Sequence, residues 1–396
     1  MSGLALRRFF LRKNRAPGER DMTVAGNAVT LLKDGAQAFP SMLAAIAEAR
    51  VEVLLEMYWF QSDLVGERFA AALAERARAG VRVCVIYDGV GSLGVDGAMF
   101  DGLRAAGAEV FEYHPVAPWA NRWRIGTLNN RDHRKIIVVD DAVAFTGGIN
   151  IGLPWAPERD GGEGWRDDAV RIEGPAAAQL RAVFLDSWRE LGGSPCPPVH
   201  GAPAAPTEVA PAAALQAVRA LPSGRWRNRT LIRSAYLDQI RRAKRYVYIA
   251  NSYFIPDRVV RHALADAVAR GVDVRVLVAG KSDVRAVYYA SRFLYGWLLG
   301  RGISIYEWTK SVFHAKSAVI DGQWSTIGSF NLDNRSWRLN LEINVSIDGA
   351  EVAEAMHARF LADAGQSNKV ELAQFRFRSL QERLSEVFYY LFRKLL

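Results

Sequence analysis

The chain has 396 residues, half of them apolar, enough for two domains with cores of their own. Two cysteines, Cys84 and Cys196, exclude a disulfide framework, and no apolar run approaches the roughly 18 residues of a spanning helix. Lysine and arginine exceed aspartate and glutamate by 51 to 42, a formal +9, which favours an anionic partner without choosing among nucleic acid, phosphorylated metabolites and acidic lipid.

The first 25 residues carry the basic stretch LRRFFLRKNR (residues 6 to 15). Its apolar centre is too short for a signal peptide, so a cytoplasmic chain, at most peripheral on a membrane, is expected. Residues 26–194 open a first structural half. There VEVLLEMYWFQSD reads as a β-rich run ending near Tyr58, AAALAERARAG as a helix stopped by Gly80, and VRVCVIYD as a second β-rich run holding Cys84 as a small buried hydrophobe. Strand, helix, strand at this spacing predicts a mixed or parallel sheet flanked by helices. The stretch RDHRKIIVVDDAVAFTGGIN (residues 131 to 150) follows, and then GWRDDAVRIEG, with Asp167 and Asp168.

Residues 195–215 hold six of the fifteen prolines and read as a semi-rigid linker. Residues 216–365 then repeat the first half. RYVYIANSYFIPD reaches Tyr253, RHALADAVARG stops at Gly271, and VDVRVLVAG is the next β-rich run. FHAKSAVIDGQWSTIGSFN (residues 313 to 331) matches the earlier stretch position by position: His133 with His314, Lys135 with Lys316, Asp140 with Asp321, Gly148 with Ser329, Asn150 with Asn331. Histidine to asparagine is 17 positions in both copies. SWRLNLEINVSIDG follows and offers Glu342, and residues 366–396 close the chain with a basic, aromatic, amphipathic helix.

In a strand, residues two apart share a face, so each copy projects an imidazole and an ammonium together. If the halves pack about a pseudo-twofold axis, two histidines and two lysines meet in one site. A cation would be repelled there, so no metal and no other cofactor is expected, and the guest is an anion. The lysines, Asn150 and Asn331, and the turns at Gly148 and Ser329 would bind the oxygens of a phosphate. One histidine would attack phosphorus and the other would shuttle the proton. Asp140 and Asp321 complete the repeated motif but, at the far end of the run, read as structural. Each histidine needs a carboxylate on its second nitrogen. The acids downstream of each motif offer it: Asp167 or Asp168 for His133, Glu342 for His314.

H-x-K-x₄-D-x₆-G-[GS]-x-N in two copies resembles the phospholipase D superfamily. Within it, YWFQSDLVGERFAAAL, YDGVGS, WRDDAVRIEGPAA, NSYFIPD and GSFNLDNRSWRLNLEINV are most similar to short bacterial cardiolipin synthases. The resemblance implies a duplicated α/β sandwich of two mixed-sheet halves with one active site between them. It implies His133, Lys135, Asp140, His314, Lys316 and Asp321 as the catalytic set, with His133 the nucleophile and His314 the acid and base. It implies phosphatidyl transfer from phosphatidylglycerol to a second phospholipid. A phospholipase D-type hydrolase, or less readily a nuclease, uses the same site; no nucleic-acid partner is expected. The oligomeric state stays open.

Lipid access would come from outside the motifs. FRFRSLQERLSEVFYYLFRKLL places Phe377, Leu380, Leu384, Val387, Leu391 and Leu395 on one stripe, the pattern of an interfacial helix or of one packed on the core. The first half carries about ten extra residues before its motif, where Trp119, Arg122, Trp123 and Arg124 form either a head-group lip or a surface loop. AVYYASRFLYGWLLGRG is an apolar wall for acyl chains or a core helix.

Overall fold

Gly80 and Gly271 adopt φ of +82° and +88°, in the left-handed region that a β-carbon disfavours, and each closes an equivalent helix. The helices, Leu64–Arg78 and Arg258–Ala269, also begin alike: the carboxylates of Asp63 and Asp257 each accept two backbone N–H groups of the first turn. A computed structural model describes residues 21–116, 129–199, 217–224 and 228–394. The basic N-terminal stretch, the Trp119–Arg124 loop, most of the proline-rich linker and Leu395 lie outside the described residues.

The strands in chain order are β1 (Asp21–Val24), β2 (Asn27–Lys33), β3 (Glu52–Met57), β4 (Arg82–Asp88), β5 (Glu109–Tyr113), β6 (Lys135–Val139), β7 (Val143–Gly147) and β8 (Asp168–Glu173) in one sheet. The second holds β9 (Ala217–Ser223), β10 (Tyr246–Asn251), β11 (Asp273–Ala279), β12 (Ser304–Trp308), β13 (Lys316–Ile320), β14 (Trp324–Gly328), β15 (Glu342–Asp348) and β16 (Asn368–Lys369). Their spatial orders are β1-β2-β8-β7-β6-β3-β4-β5 and β16-β12-β11-β10-β13-β14-β15-β9. Apart from β1 and β16 the two orders coincide. Each sheet is mixed: β3 and β10 pair parallel with β4 and β11 across the helices above, and antiparallel with the motif strands β6 and β13. The fold is thus a duplicated α/β sandwich of two mixed-sheet halves.

The sheets meet across a shared core. Val138, Ile172, Val345 and Ile347 lie in it beside Leu180 and Phe184 of the helix Pro175–Glu190 and Met356 and Phe360 of the helix Ala350–Ala364. Two further cores fill the outer faces under the remaining helices. Val287, Ala290, Leu294, Tyr295 and Leu298 belong to one of these, so the segment 286–302 lays one face on the core. Among the described residues, no helix is long and apolar enough to cross a membrane.

Asp140 and Asp321 sit where the motif strands turn, both in the left-handed region with φ of +51° and +55°. The Asp140 carboxylate accepts the backbone N–H groups of Arg50, Val51 and Glu52, and Asp321 accepts those of Lys244, Arg245 and Tyr246. Each acid pins the lead-in of the neighbouring strand, about 16 Å along the strand from the motif lysine. This corrects their place in the implied catalytic set: they build the sheet. Asp140→Ala is expected to lower unfolding free energy by about 3 kcal/mol, because buried donors lose their acceptor. Chemical denaturation checks it, and activity per folded molecule should stay unchanged.

Candidate active site

Two backbone exchanges stitch the halves together at the motifs. The His133 N–H donates to Leu341 O at 2.9 Å, and Leu341 N–H returns a bond to Arg131 O. Likewise the His314 N–H donates to Arg166 O at 2.8 Å, and Arg166 N–H donates to Val312 O. Each motif histidine therefore enters its site already paired with the segment that precedes the other half's carboxylate.

The side chains follow that exchange. His133 Nδ1 lies 2.9 Å from Glu342 Oε2, and His314 Nδ1 lies 2.7 Å from Asp167 Oδ2. The acids expected to orient the histidines are both present, but the pairing is crossed. Asp167 serves His314 and Glu342 serves His133, because the strand leads swap partners between the sheets. Asp168, the alternative to Asp167, faces away from both histidines. Against the cost of its burial, Arg166 at 2.8 Å and Arg359 at 3.1 Å hold its carboxyl well below the usual range, and Ser317 Oγ donates to it. With Asp363, which takes the other edge of the Arg166 guanidinium, it forms a buried ionic joint between the halves.

The orienting acids have their own supports, and these explain the Gly148–Ser329 difference. Ser329 Oγ donates to Glu342 Oε2 at 2.5 Å, with Asn340 Nδ2 on the other oxygen at 3.3 Å. At the equivalent Gly148, a β-carbon would stand 2.1 Å from Asp167 Oδ1, so the residue must be glycine. Trp155 supplies the missing donor: its indole N–H reaches Asp167 Oδ2 at 2.9 Å. The backbone N–H groups of Gly148 and Ser329 are spent on the ladder, on Asp168 O and Ile343 O. The expectation that these two residues bind phosphate is therefore corrected: they shape the carboxylate pockets.

The lysines sit on β6 and β13 with the geometry the parity required. Lys135 Nζ donates to His133 O at 2.7 Å, and Lys316 Nζ donates to Ser252 Oγ at 3.0 Å and to His314 O. Burial first, then Lys316, pushes Lys135 down to about 7; burial pushes Lys316 down to about 8. Burial and the neighbouring lysines also push both histidines below their ordinary value, His133 the further. Asp167 pulls His314 partly back, whereas burial raises Glu342 itself to about 7. Asn150 and Asn331 are buried, with their carbonyl oxygens held by Trp59 N–H and Ser252 Oγ–H, which orients both amides from the loops after β3 and β10.

Those loops also bring in residues that the motifs do not mark. The Tyr58 ring meets His133 edge-on at 4.7 Å, and Tyr253 stands 6.3 Å from His314. Tyr58 lies one residue beyond β3 and Tyr253 two beyond β10. With Met57 and Asn251 both opposite the motif lysines, Tyr58 corresponds to Ser252 and Tyr253 to Trp59, so the repeat gives the two tyrosines no shared signal. Trp155 and Trp165 pack at 5.4 Å and 5.9 Å from the His314 ring, and among the described residues no tryptophan packs on His133 to match them, so the repeat does not signal them.

A family model described as cardiolipin synthase, PLD-like domain, matches residues 42–188 and 236–364. The chain is 33% identical over 370 residues to the cardiolipin synthase of Geobacillus kaustophilus, covering 93% of this chain and 72% of that one. It is 32% identical over 396 residues to the probable cardiolipin synthase YwiE of Bacillus subtilis, covering 97% and 75%. Among solved structures, the phosphatidylserine synthase of Haemophilus influenzae superposes with a TM-score of 0.71, covering 99% of this chain and all of that one, at 14% identity. That likeness is one of fold.

Proposed function

The chain belongs to the cardiolipin synthase family of PLD-like domains, a phospholipid transferase of the phospholipase D superfamily, and we propose from this that it makes cardiolipin from phosphatidylglycerol through a phosphohistidine. The observation that carries the reading is the pair of buried histidines, each bound at Nδ1 by a carboxylate of the other half, beside two lysines. A carboxylate on Nδ1 leaves Nε2 of each ring for chemistry. His133, held neutral beside a Glu342 that is itself hard to ionise, is the nucleophile. His314, whose charge Asp167 favours, is the acid and base.

In the first step His133 Nε2 bonds to phosphorus, the P–O bond to the head-group glycerol breaks, and the glycerol oxygen takes its proton from His314. In the second, His314 removes the proton of a hydroxyl on another phosphatidylglycerol. That oxygen bonds to phosphorus, the P–N bond breaks, and cardiolipin leaves. Lys135 and Lys316, with the amides of Asn150 and Asn331, stabilise the non-bridging oxygens as charge builds on them. The donor lipid makes an anionic membrane surface the place of work, met peripherally from the cytoplasm.

Purified protein incubated with phosphatidylglycerol vesicles and EDTA, with the lipids read by mass spectrometry, tests the proposal. Cardiolipin and glycerol are expected. Phosphatidic acid alone would mean hydrolysis, and unchanged lipid would refute the lipid reading. The lysines set the pH dependence. Both are cations below their lowered values and neutral above them, so kcat/KM should decline as pH rises through about 7 to 8. A pH–rate profile flat to pH 9 would mean that loss of the lysine charges at their lowered values does not limit the reaction.

A further inference from the structure

We infer that the helix Leu380–Leu391 docks the protein on the surface of an anionic bilayer; the inference rests on the phospholipid-transferase reading. The helix is mounted with its apolar side outward. Leu380, Leu384, Val387, Phe388 and Leu391 recur at three- and four-residue spacing, and they are 46% to 71% exposed. Phe377 just before it is 89% exposed, and Phe392 just after it extends the stripe.

The side turned to the protein is the polar one. Glu386 is fully buried, bound by Arg378 at 2.8 Å and faced by Arg292 at 3.5 Å. The Tyr389 ring stacks on Tyr289 at 5.7 Å and the Tyr390 ring on Phe293 at 4.0 Å. A helix on a water-facing surface is arranged the other way, since exposing leucines while desolvating an ion pair is unfavourable twice over. The arrangement is favourable once the stripe meets an apolar phase.

Charge identifies that phase. Arg376, Arg383 and Lys394 are exposed beside the stripe. The acids of the segment are engaged: Glu386 by its arginines, and Glu382 in a capping box with Ser379. An apolar stripe with a cationic rim fits an acidic lipid surface, into which such a helix sinks by about 5–10 Å. A second copy would instead set one cationic rim against another. The helix is also tied to the site: Asn334 Nδ2 donates to Arg393 O at 3.3 Å. Asn334 opens the short helix Asn334–Arg338, whose Ser336 receives the Asn331 N–H and whose Arg335 adds to the field on His133. Docking through the stripe therefore sets the second-motif side of the site against the bilayer that holds the substrate.

The test compares vesicle co-sedimentation of the full chain with that of Leu384→Ser/Leu391→Ser, both positions being exposed enough to leave the fold intact. On vesicles of phosphatidylglycerol and phosphatidylcholine, the variant should partition at least tenfold more weakly. A second variant, Arg383→Ala/Lys394→Ala, should lose the preference for phosphatidylglycerol over pure phosphatidylcholine vesicles while keeping its thermal midpoint. Wild-type partitioning by the leucine variant would overturn the inference. So would a wild-type dimer in solution that this variant converts to monomer, which would assign the stripe to a second copy. Both variants should keep wild-type turnover of short-chain phosphatidylglycerol dissolved as monomers. Turnover of that soluble substrate reports on the transferase reading alone, so the two failures are distinguishable.

Discussion

Alanine at His133 is expected to remove turnover altogether, and alanine at His314 to slow it by about 10²- to 10⁴-fold, the usual worth of general acid–base help. In the proposed mechanism the difference follows from what each ring does at its Nε2. Without His133 the P–N bond that carries the phosphatidyl group does not form, because His314 is committed to the proton transfers. Without His314 the leaving alkoxide must depart unprotonated, which is slow for glycerol and fast for a phenolate. A phosphatidyl donor with a nitrophenyl leaving group should therefore still phosphatidylate the His314→Ala variant. Intact-protein mass spectrometry after a rapid quench should find one phosphatidyl group on His314→Ala and none on His133→Ala. An adduct on His133→Ala would reverse the assignment, and near-full turnover by either variant would end the two-histidine scheme. The substitutions should be tolerated by the fold. Glu342 keeps Ser329 and Asn340 as donors, and Asp167 keeps Trp155 and the Asp168 N–H.

The fold was legible because it is written twice. The helix stops at Gly80 and Gly271, the parity of His133 with Lys135 and of His314 with Lys316, and the equal spacing to Asn150 and Asn331 all hold at short range, where chain order and space agree. The histidine–carboxylate pairing was not legible for the opposite reason. His133 and Glu342 are 209 residues apart, His314 and Asp167 147 apart, and the nearer acid in sequence belongs to the other histidine. Only the exchange of strand leads between the sheets decides this, and no periodicity reports it. The glycine turn misled in a different way: Gly148 has a free backbone N–H on paper, but the sheet uses it. Periodicity likewise showed which residues of the C-terminal helix share a face, and not which face turns inward. That depended on Glu386 finding Arg292 and Arg378, and the tyrosines finding Tyr289 and Phe293.

The crossed pairing makes a prediction that a parallel one would reverse. Asp167→Asn and Glu342→Gln preserve size and replace the carboxyl group that holds one imidazole at Nδ1. Each is expected to cost about 10⁴-fold in turnover, the loss that the same change causes in a serine protease triad, because the ring is then free to take the wrong tautomer. Overall turnover does not tell which histidine each acid serves, but the nitrophenyl donor does. In the proposed mechanism, formation of the phosphohistidine needs His133 and, with that leaving group, no acid. Its breakdown by an incoming lipid hydroxyl needs His314 as base. Glu342→Gln should therefore slow the burst of nitrophenolate, since Glu342 sits on His133. Asp167→Asn should leave the burst near the wild-type rate and slow the steady phase after it, since Asp167 sits on His314. Stopped-flow absorbance at the nitrophenolate band separates the two phases directly. A slow burst in Asp167→Asn with a normal burst in Glu342→Gln would place each acid on the histidine of its own half and refute the exchange. The expected pattern has a further consequence. Each histidine depends on a carboxylate that only the opposite half supplies, so neither half holds a complete catalytic group by itself, and the duplicated chain works as one site.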